Sequence, residues 1–277
     1  MEKNLKRLFR TYLKLRKINT VLFGKNRGFR YKYYDDYNLD MMLGIHEPNS
    51  FEVFELFVKK GMVVTDIGAN FGYFSRFLSQ RVGTEGKVFA FEPIPQTHKM
   101  LLETIELNKL KNIHPVQSAV SDTDGSIKIF LSHTHYMASL DPKWASGDGG
   151  HMNVDSVTLD SFFEKKGIYP DFIKMDIEGG GVKALKGMVK CITKNEPVLF
   201  LESHTAEEDL AIGKALSLIP YDVFRVGSKI PVKYLHKNYT DLYGVYGTVV
   251  AIPKSKKHLY PDWAPADFQR KRLGQRL

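Results

Sequence analysis

The stretch VVTDIGANFGYFSRFLSQ, residues 63–80, constrains the architecture more than any other part of the chain. Val63 and Val64 belong to a short apolar run of strand character, and Phe74, Phe77 and Leu78 recur at helical spacing. Between them lies a strand-to-helix corner containing Gly68 and Gly72. Such a corner presents backbone N–H groups at a helix N-terminus, and residues without side chains let a ligand approach the main chain. The corner therefore predicts a polar ligand and an α/β architecture.

The rest of the chain follows the same alternation. MVVTDIG, KVFAFEP, IHPVQSAVSD, DFIKMDIEG and EPVLFLESH read as strands, with helices over YFSRFLSQRV, PQTHKMLLETIELNKL and VKALKGMVKCI. SIKIFLS reads as an added strand or hairpin, and DVFRVG with GTVVAIP as a closing antiparallel pair at one edge. The expected fold is a Rossmann-like α/β domain, a mostly parallel seven-stranded sheet with helices on both faces and an N-terminal helical extension. Residues 46–61 read as a helix stopped by Gly61 that leads into the first strand.

Charge divides the chain into three expected parts. Residues 1–32 carry a net charge of +10 and residues 254–277 a net charge of +5, although the whole chain is only +9. The middle is therefore mildly acidic. A basic N-terminal extension is expected over 1–50, the main domain over 51–253 and a basic tail over 254–277. In the extension, Leu5, Leu8, Phe9, Tyr12 and Leu13 form an apolar helical stripe beside Lys6, Arg7, Arg10, Lys14 and Lys17. The stripe can dock on the main domain or on a second copy in a homo-oligomer, and a basic amphipathic helix can also contact an anionic membrane or nucleic acid. One cysteine, Cys191, excludes an intramolecular disulfide, and no run reaches the roughly 18 apolar residues of a membrane-spanning helix. A cytoplasmic protein is expected, with peripheral membrane contact as an open alternative.

The carboxylates narrow the ligand. Glu92 ends the second strand, where an acidic side chain can accept both hydroxyls of a ribose. The turn reads G-A-N-F-G, whereas a dinucleotide site wants G-x-G-x-x-G. Asp66 can attract an ammonium group, and the backbone from Gly68 and Ala69 through Asn70 to Gly72 can receive a carboxylate. S-adenosyl-L-methionine combines ribose, ammonium and carboxylate.

VVTDIGANFGYFSRFL, GKVFAFEPIPQTHKMLLETIELNKL, AVSDTDGSIKIF, VDSVTLDSFF and DFIKMDIEGGGVKALKGM resemble, in order, successive blocks of the FkbM family of S-adenosylmethionine-dependent methyltransferases. The resemblance covers about residues 60–205 and implies a class I methyltransferase fold acting on hydroxyl groups of sugars, glycans, lipids or natural products. It places Asp66, Gly68, Ala69, Asn70, Gly72, Glu92, Asp122 and Asp176 at the cofactor. One departure is that the family's D-x-E-G-x-E becomes DIEGGG, with Gly181 in place of the second Glu.

Methyl transfer to a hydroxyl needs a base or a metal to remove the proton. Asp176 and Glu178 follow one apolar strand, and Glu202 and His204 follow its expected neighbour. His204 is the first candidate for general base because an imidazole titrates near neutrality, and Glu178 is the second. Asp176, Glu202 and His204 can alternatively hold Mg²⁺. Residues 132–153, with His133, His135, Tyr136, Trp144 and His151, read as a substrate loop. Two further functions stay open: an RNA methyltransferase, for which the basic termini speak but the sequence MDIEG does not, and a catalytically weak binding protein.

Overall fold

The computed structural model describes residues 11–16, 18–33, 39–131, 138–139, 150–226 and 247–261. The main sheet has seven strands. These are β3 (Val63–Ile67), β4 (Lys87–Phe91), β5 (Ile113–Val116), β10 (Phe172–Met175), β11 (Val198–Glu202), β12 (Tyr221–Arg225) and β13 (Thr248–Pro253). Their spatial order is β12-β13-β11-β10-β3-β4-β5. The pairings β5–β4, β4–β3, β3–β10 and β10–β11 are parallel, and β13 runs antiparallel to both β11 and β12. The expected pair is therefore antiparallel, but β13 is inserted beside β11 and β12 alone forms the edge. The opposite edge is β5, where Pro115, which lacks an N–H, faces Ala90.

Alternation along the strands sorts side chains into two cores. Val64, Phe172, Phe200 and Val250 point to one face, covered by α2 (Pro48–Phe57), α3 (Tyr73–Val82) and α4 (Pro95–Asn108). Ile67, Ile173, Met175, Leu199 and Leu201 point to the other, covered by α5 (Leu159–Lys166), α6 (Gly181–Lys186), α7 (Val189–Asn195) and α8 (Ala206–Leu216). On the first face the rings of Phe54 and Phe200 lie 4.9 Å apart, as do those of Phe51 and Phe77. These contacts fix α2 against α3 and the sheet, and with it the loop that precedes α2.

Several boundaries differ from expectation for identifiable reasons. The helix leading into β3 ends at Phe57, and Gly61 (φ 82°) turns the chain afterwards. The single helix expected over 182–192 is two, joined through Gly187, where a Cβ would lie 1.9 Å from the Ser121 carbonyl oxygen. The Asp160 carboxylate accepts hydrogen bonds from the Lys190 and Cys191 N–H groups and so restarts the chain as α7. The strand expected over 113–122 divides into β5 and β6 (Ala119–Val120), and β6 joins a second sheet with β7 (Gly125–Leu131), β8 (Ala138–Ser139) and β9 (His151–Val157) in the order β6-β9-β7-β8. His151 thus lies in a strand; His133, His135, Tyr136 and Trp144 lie outside the described residues.

The N-terminal part shares the first core. A ribbon of β1 (Asn19–Thr20) and β2 (Arg30–Tyr31) precedes a short helix, α1 (Leu39–Leu43), and Leu13, Val21, Phe29 and Tyr31 are buried against the main domain. Tyr12, expected on the same stripe as Leu13, is exposed. Leu5, Leu8 and Phe9 fall outside the described residues, as does the tail beyond residue 261. Tyr260 is buried with its ring 5.1 Å from Phe57, so the start of the expected tail packs into the domain. No helix among the described residues is long and apolar enough to cross a membrane.

Candidate functional site

The site forms where the order of the parallel strands reverses, beyond the carboxyl ends of β3 and β10, the position at which open α/β sheets bind ligands. Three neighbouring strands each change from apolar to charged on the same face. Val64 is followed by Asp66, Phe172 by Lys174 and Asp176, and Phe200 by Glu202. Period-two alternation therefore stacks these charged groups beneath α2 and α3.

Lys174, inside the otherwise apolar strand β10, is the centre of this arrangement. Its side chain is 2 % exposed and its Nζ lies 3.0 Å from Asp66 Oδ1 and 3.6 Å from Asp176 Oδ2. Nζ also donates to the Gly68 carbonyl oxygen at 3.2 Å and sits over the Phe74 ring. Burial alone would lower the ammonium's pKa, but Asp66 and then Asp176 hold it above the ordinary lysine value. Asp66 is fully buried, and its second oxygen accepts from Ser75 Oγ at 2.5 Å. Asp66 was expected to attract a cofactor ammonium, yet its charge is engaged by Lys174 inside the protein.

The glycine turn is fixed from beneath. A Cβ at Gly68 (φ 80°) would lie 2.0 Å from the Asp176 carbonyl oxygen, so only glycine lets β3 and β10 close this tightly. The Gly68 and Ala69 N–H groups donate to the Phe91 carbonyl, that of Asn70 to Glu92 Oε2 at 3.0 Å and that of Gly72 to Ala69. Residues 68–72 thus use their own donors internally. α3 begins at Gly72 (φ 91°) without a side-chain cap, which leaves its first-turn N–H groups as the donors for an anionic group. Glu92 also accepts from the Ile94 N–H at 3.0 Å, and burial raises its pKa to about 7. A cavity beside this turn is walled by Ile67, Phe91, Pro93, Ala119 and Val120, with Glu178 at its rim. Neither Glu92 nor Asp122 is among its lining residues; Glu92 follows Phe91 at the end of β4, and Asp122 lies past β6, where it accepts from Ser121 Oγ.

The expected catalytic residues do converge. His204 Nε2 lies 3.7 Å from Asp176 Oδ1 and 3.7 Å from Glu202 Oε1. One ligating atom from each of the three falls within 4.8 Å of the others. Burial and the like charges of Asp176 and Glu47 push the Glu202 pKa up. Burial opposes the charged form of His204, but Glu208, Asp176 and Glu202 together hold it above the ordinary histidine value. Burial also raises Glu178.

The model of the methyltransferase FkbM domain matches residues 66–225, more than half of the chain. The chain belongs to the FkbM methyltransferase family. The strand order and the single antiparallel β13 of this chain agree with the class I methyltransferase fold expected above. The hexuronic acid methyltransferase AglP of Haloferax volcanii is 26% identical over 163 residues, 56% of this chain and 61% of AglP. The ribosomal RNA large subunit methyltransferase E of Wigglesworthia glossinidia brevipalpis is 40% identical over only 68 residues, 23% of this chain and 34% of that protein. Among solved structures, an FkbM methyltransferase from Methylobacillus flagellatus KT matches with 18% identity and a TM-score of 0.47, over 79% of this chain and 55% of that one. The chain thus spans less than two thirds of these relatives.

Three residues of this FkbM site were not singled out in the sequence. A charged residue inside a four-residue central strand must have a buried partner, so Lys174 had a signal of its own. Glu208 is three residues after Thr205, the spacing of a helix capping box. Glu47, at φ 43°, precedes Pro48 and pairs with His46 Nε2 at 2.9 Å. Only the packing of α2 on the sheet brings it near Glu202 and Lys174.

Two expected outcomes follow. Lys174→Met leaves the buried Asp66 carboxylate without its cation and costs about 3–5 kcal/mol in urea denaturation, whereas Asp66→Asn with Lys174→Met costs less than Lys174→Met alone. A double variant that costs the sum of Lys174→Met and Asp66→Asn measured singly would mean that the pair is not coupled. The pKa values of Glu202 and His204 are both raised by folding, so each contributes stability that is full below its ordinary value and lost as pH rises through the raised one. Stability therefore falls from about pH 4.5 to about pH 9, the Glu202 part being lost by about pH 8, and Glu202→Gln flattens the lower part of that fall; an unchanged slope would contradict the assignment.

Proposed function

We propose that the protein transfers a methyl group from S-adenosylmethionine to a hydroxyl of a sugar or glycan. The observation that carries this reading is the position of His204 Nε2 between two carboxylates, on the strand ends next to the uncapped start of α3. Family membership supplies the reaction class.

The residues fit the cofactor. The apolar cavity walls suit a flat base, and Glu92 keeps a free lone pair on each oxygen for ribose hydroxyls. The start of α3 suits the methionine carboxylate. When bound, the cofactor supplies a methyl group made electrophilic by its sulfonium. With the cofactor in place, His204 Nε2 would accept the proton of the acceptor hydroxyl as that oxygen takes the methyl group, and S-adenosylhomocysteine would leave. Asp176 and Glu202 then face the imidazolium and stabilise its charge. Because these acids hold the ring protonated at neutral pH, the base form grows, and the rate with it, as pH rises.

AglP acts, by its name, on a hexuronic acid. Here Asp176, Glu178, Glu202 and Glu208 surround His204, with Glu47 near Glu202, a field that opposes an acceptor carboxylate and favours a neutral hydroxyl. The spacing of Asp176, Glu202 and His204 supports a second reading in which they hold a divalent cation such as Mg²⁺ that acidifies the acceptor.

Thermal unfolding with S-adenosylhomocysteine tests the cofactor half. At about 100 times its dissociation constant the ligand adds about 2.7 kcal/mol, and Glu92→Ala removes the shift. No shift in the wild type at saturating ligand would refute the cofactor assignment. Labelled methyl transfer to neutral and uronic glycosides, with Mg²⁺ or with EDTA, then separates the two acceptor mechanisms: transfer unaffected by EDTA and lost in His204→Ala identifies the histidine base.

A further inference from the structure

The second face of the sheet carries a surface that the candidate site does not use. A groove of about 390 Å³ runs between α6 and α8 and reaches the start of α7. Leu185 and Ala215, both buried, form its floor, while Leu210, Leu218 and Val189 stand along its sides at 45 %, 41 % and 39 % exposure. Large apolar side chains left this open around one hollow form a contiguous patch, which marks a contact surface, whereas single exposed leucines do not. The charged side chains that line the groove are Glu207, Lys186 and Lys214. None of the three has an ion-pair partner among the described residues.

The placement of these charges suits one kind of partner. Glu207, Leu210, Ala211 and Lys214 stand at i, i+3, i+4 and i+7 and so share the outer stripe of α8. The acid and the lysine are about 10 Å apart along the helix axis. α6 starts against α8, where the Gly181 N–H donates to Glu208 Oε1 at 3.0 Å, and it ends at Lys186. The groove therefore has an acidic end at Glu207 and a basic end at Lys186 and Lys214. If two copies of α8 meet antiparallel about an axis between Leu210 and Ala211, Glu207 meets the partner's Lys214 and Leu210 meets the partner's Ala211. The protruding side chain faces the small one beside the groove floor, and each charge faces its opposite. An isologous contact requires this, a patch that contains both halves of its own complement. A nucleic acid or an anionic bilayer would instead oppose Glu207 with a like charge.

We propose that the chain forms a twofold homodimer through antiparallel pairing of α8 over the groove between α6 and α8. The contact covers the exposed apolar side chains and leaves open the charged strand ends, which face α2 and α3. It also braces the two segments that Glu208 joins from the inner side of α8, since Oε1 holds the Gly181 N–H and Oε2 accepts from the His204 N–H at 2.7 Å.

This proposal stands apart from the reading of the reaction, and sedimentation of the full chain tests it without cofactor or acceptor. The wild type is expected to pass from monomer to dimer as concentration rises, and Leu210→Asp, a change at an exposed position, to stay monomeric with an unchanged circular dichroism spectrum. Glu207→Lys and Lys214→Glu each create two like-charge contacts across the axis and are expected to raise the dimer dissociation constant about tenfold. The two changes in one chain restore opposite pairs and with them the wild-type constant. A mixture of the two single variants is expected to form the heterodimer in preference to either homodimer, which only antiparallel self-pairing explains. A wild type that stays monomeric up to its highest soluble concentration would overturn the proposal and leave the groove to a different protein or to lipid. A dimer unaffected by Leu210→Asp would overturn it too, and its loss in Leu8→Asp would move the contact to the N-terminal stripe. If Leu210→Asp does not fold, the charge variants decide: a double variant no tighter than the single ones refutes the pairing.

Discussion

A lysine ammonium buried between two aspartates determines where this sheet can be functional. Lys174 and Asp66 are register partners on adjacent parallel strands, so their pairing crosses the line at which the strand order reverses. An ion pair in such a place is a poor source of net stability, because desolvation offsets much of the attraction. What it does is specify. The ammonium needs acceptors, and it finds them in Asp66, Asp176 and the Gly68 carbonyl, which joins the end of β10 to the turn before α3. The glycine turn and the acid cluster, which belong to separate parts of the sequence, become one structure through this residue.

The positive charge also explains how so many carboxylates share one end of the sheet. Asp176, Glu202 and Glu47 would repel one another across a partly buried space. Lys174 offsets part of that repulsion from below and His204 part from above. Burial still raises Glu202 and Glu178, so the cluster favours proton uptake and draws any cationic group toward Nε2 of His204. The field that suits an imidazolium also suits a metal ion. The buried lysine already supplies one fixed positive charge at Asp176, which reduces what a second cation would gain there.

The main sheet was largely legible in the sequence because its signals are local. Short apolar runs, a glycine corner and helical repeats give strand identities and direction, and the ordered blocks give the family. Asp176, Glu202 and His204 were legible as candidates because polar residues at the ends of apolar strands need a reason to be there. What stayed hidden depends on contacts between distant segments. The close approach of Gly187 to the carbonyl of Ser121, 66 positions earlier, is encoded by no local propensity. Asp66 looked like a ligand for an ammonium group because its partner, Lys174, is 108 positions away and was read as one more residue of an apolar strand.

Glu47 and Glu208 show how a site can draw on segments whose local sequence suggests only a helix start. Glu47 precedes α2 in a left-handed conformation, and Glu208 has the spacing of a cap. In each case the carboxylate is directed away from the routine capping role and toward the strand ends. For Glu47 the cause is aromatic packing: Phe51 and Phe54 lock α2 onto α3 and Phe200, and the residue before the helix is carried to the acid cluster. For Glu208 the cause is the missing side chain at Gly181, which opens the space that its carboxylate enters.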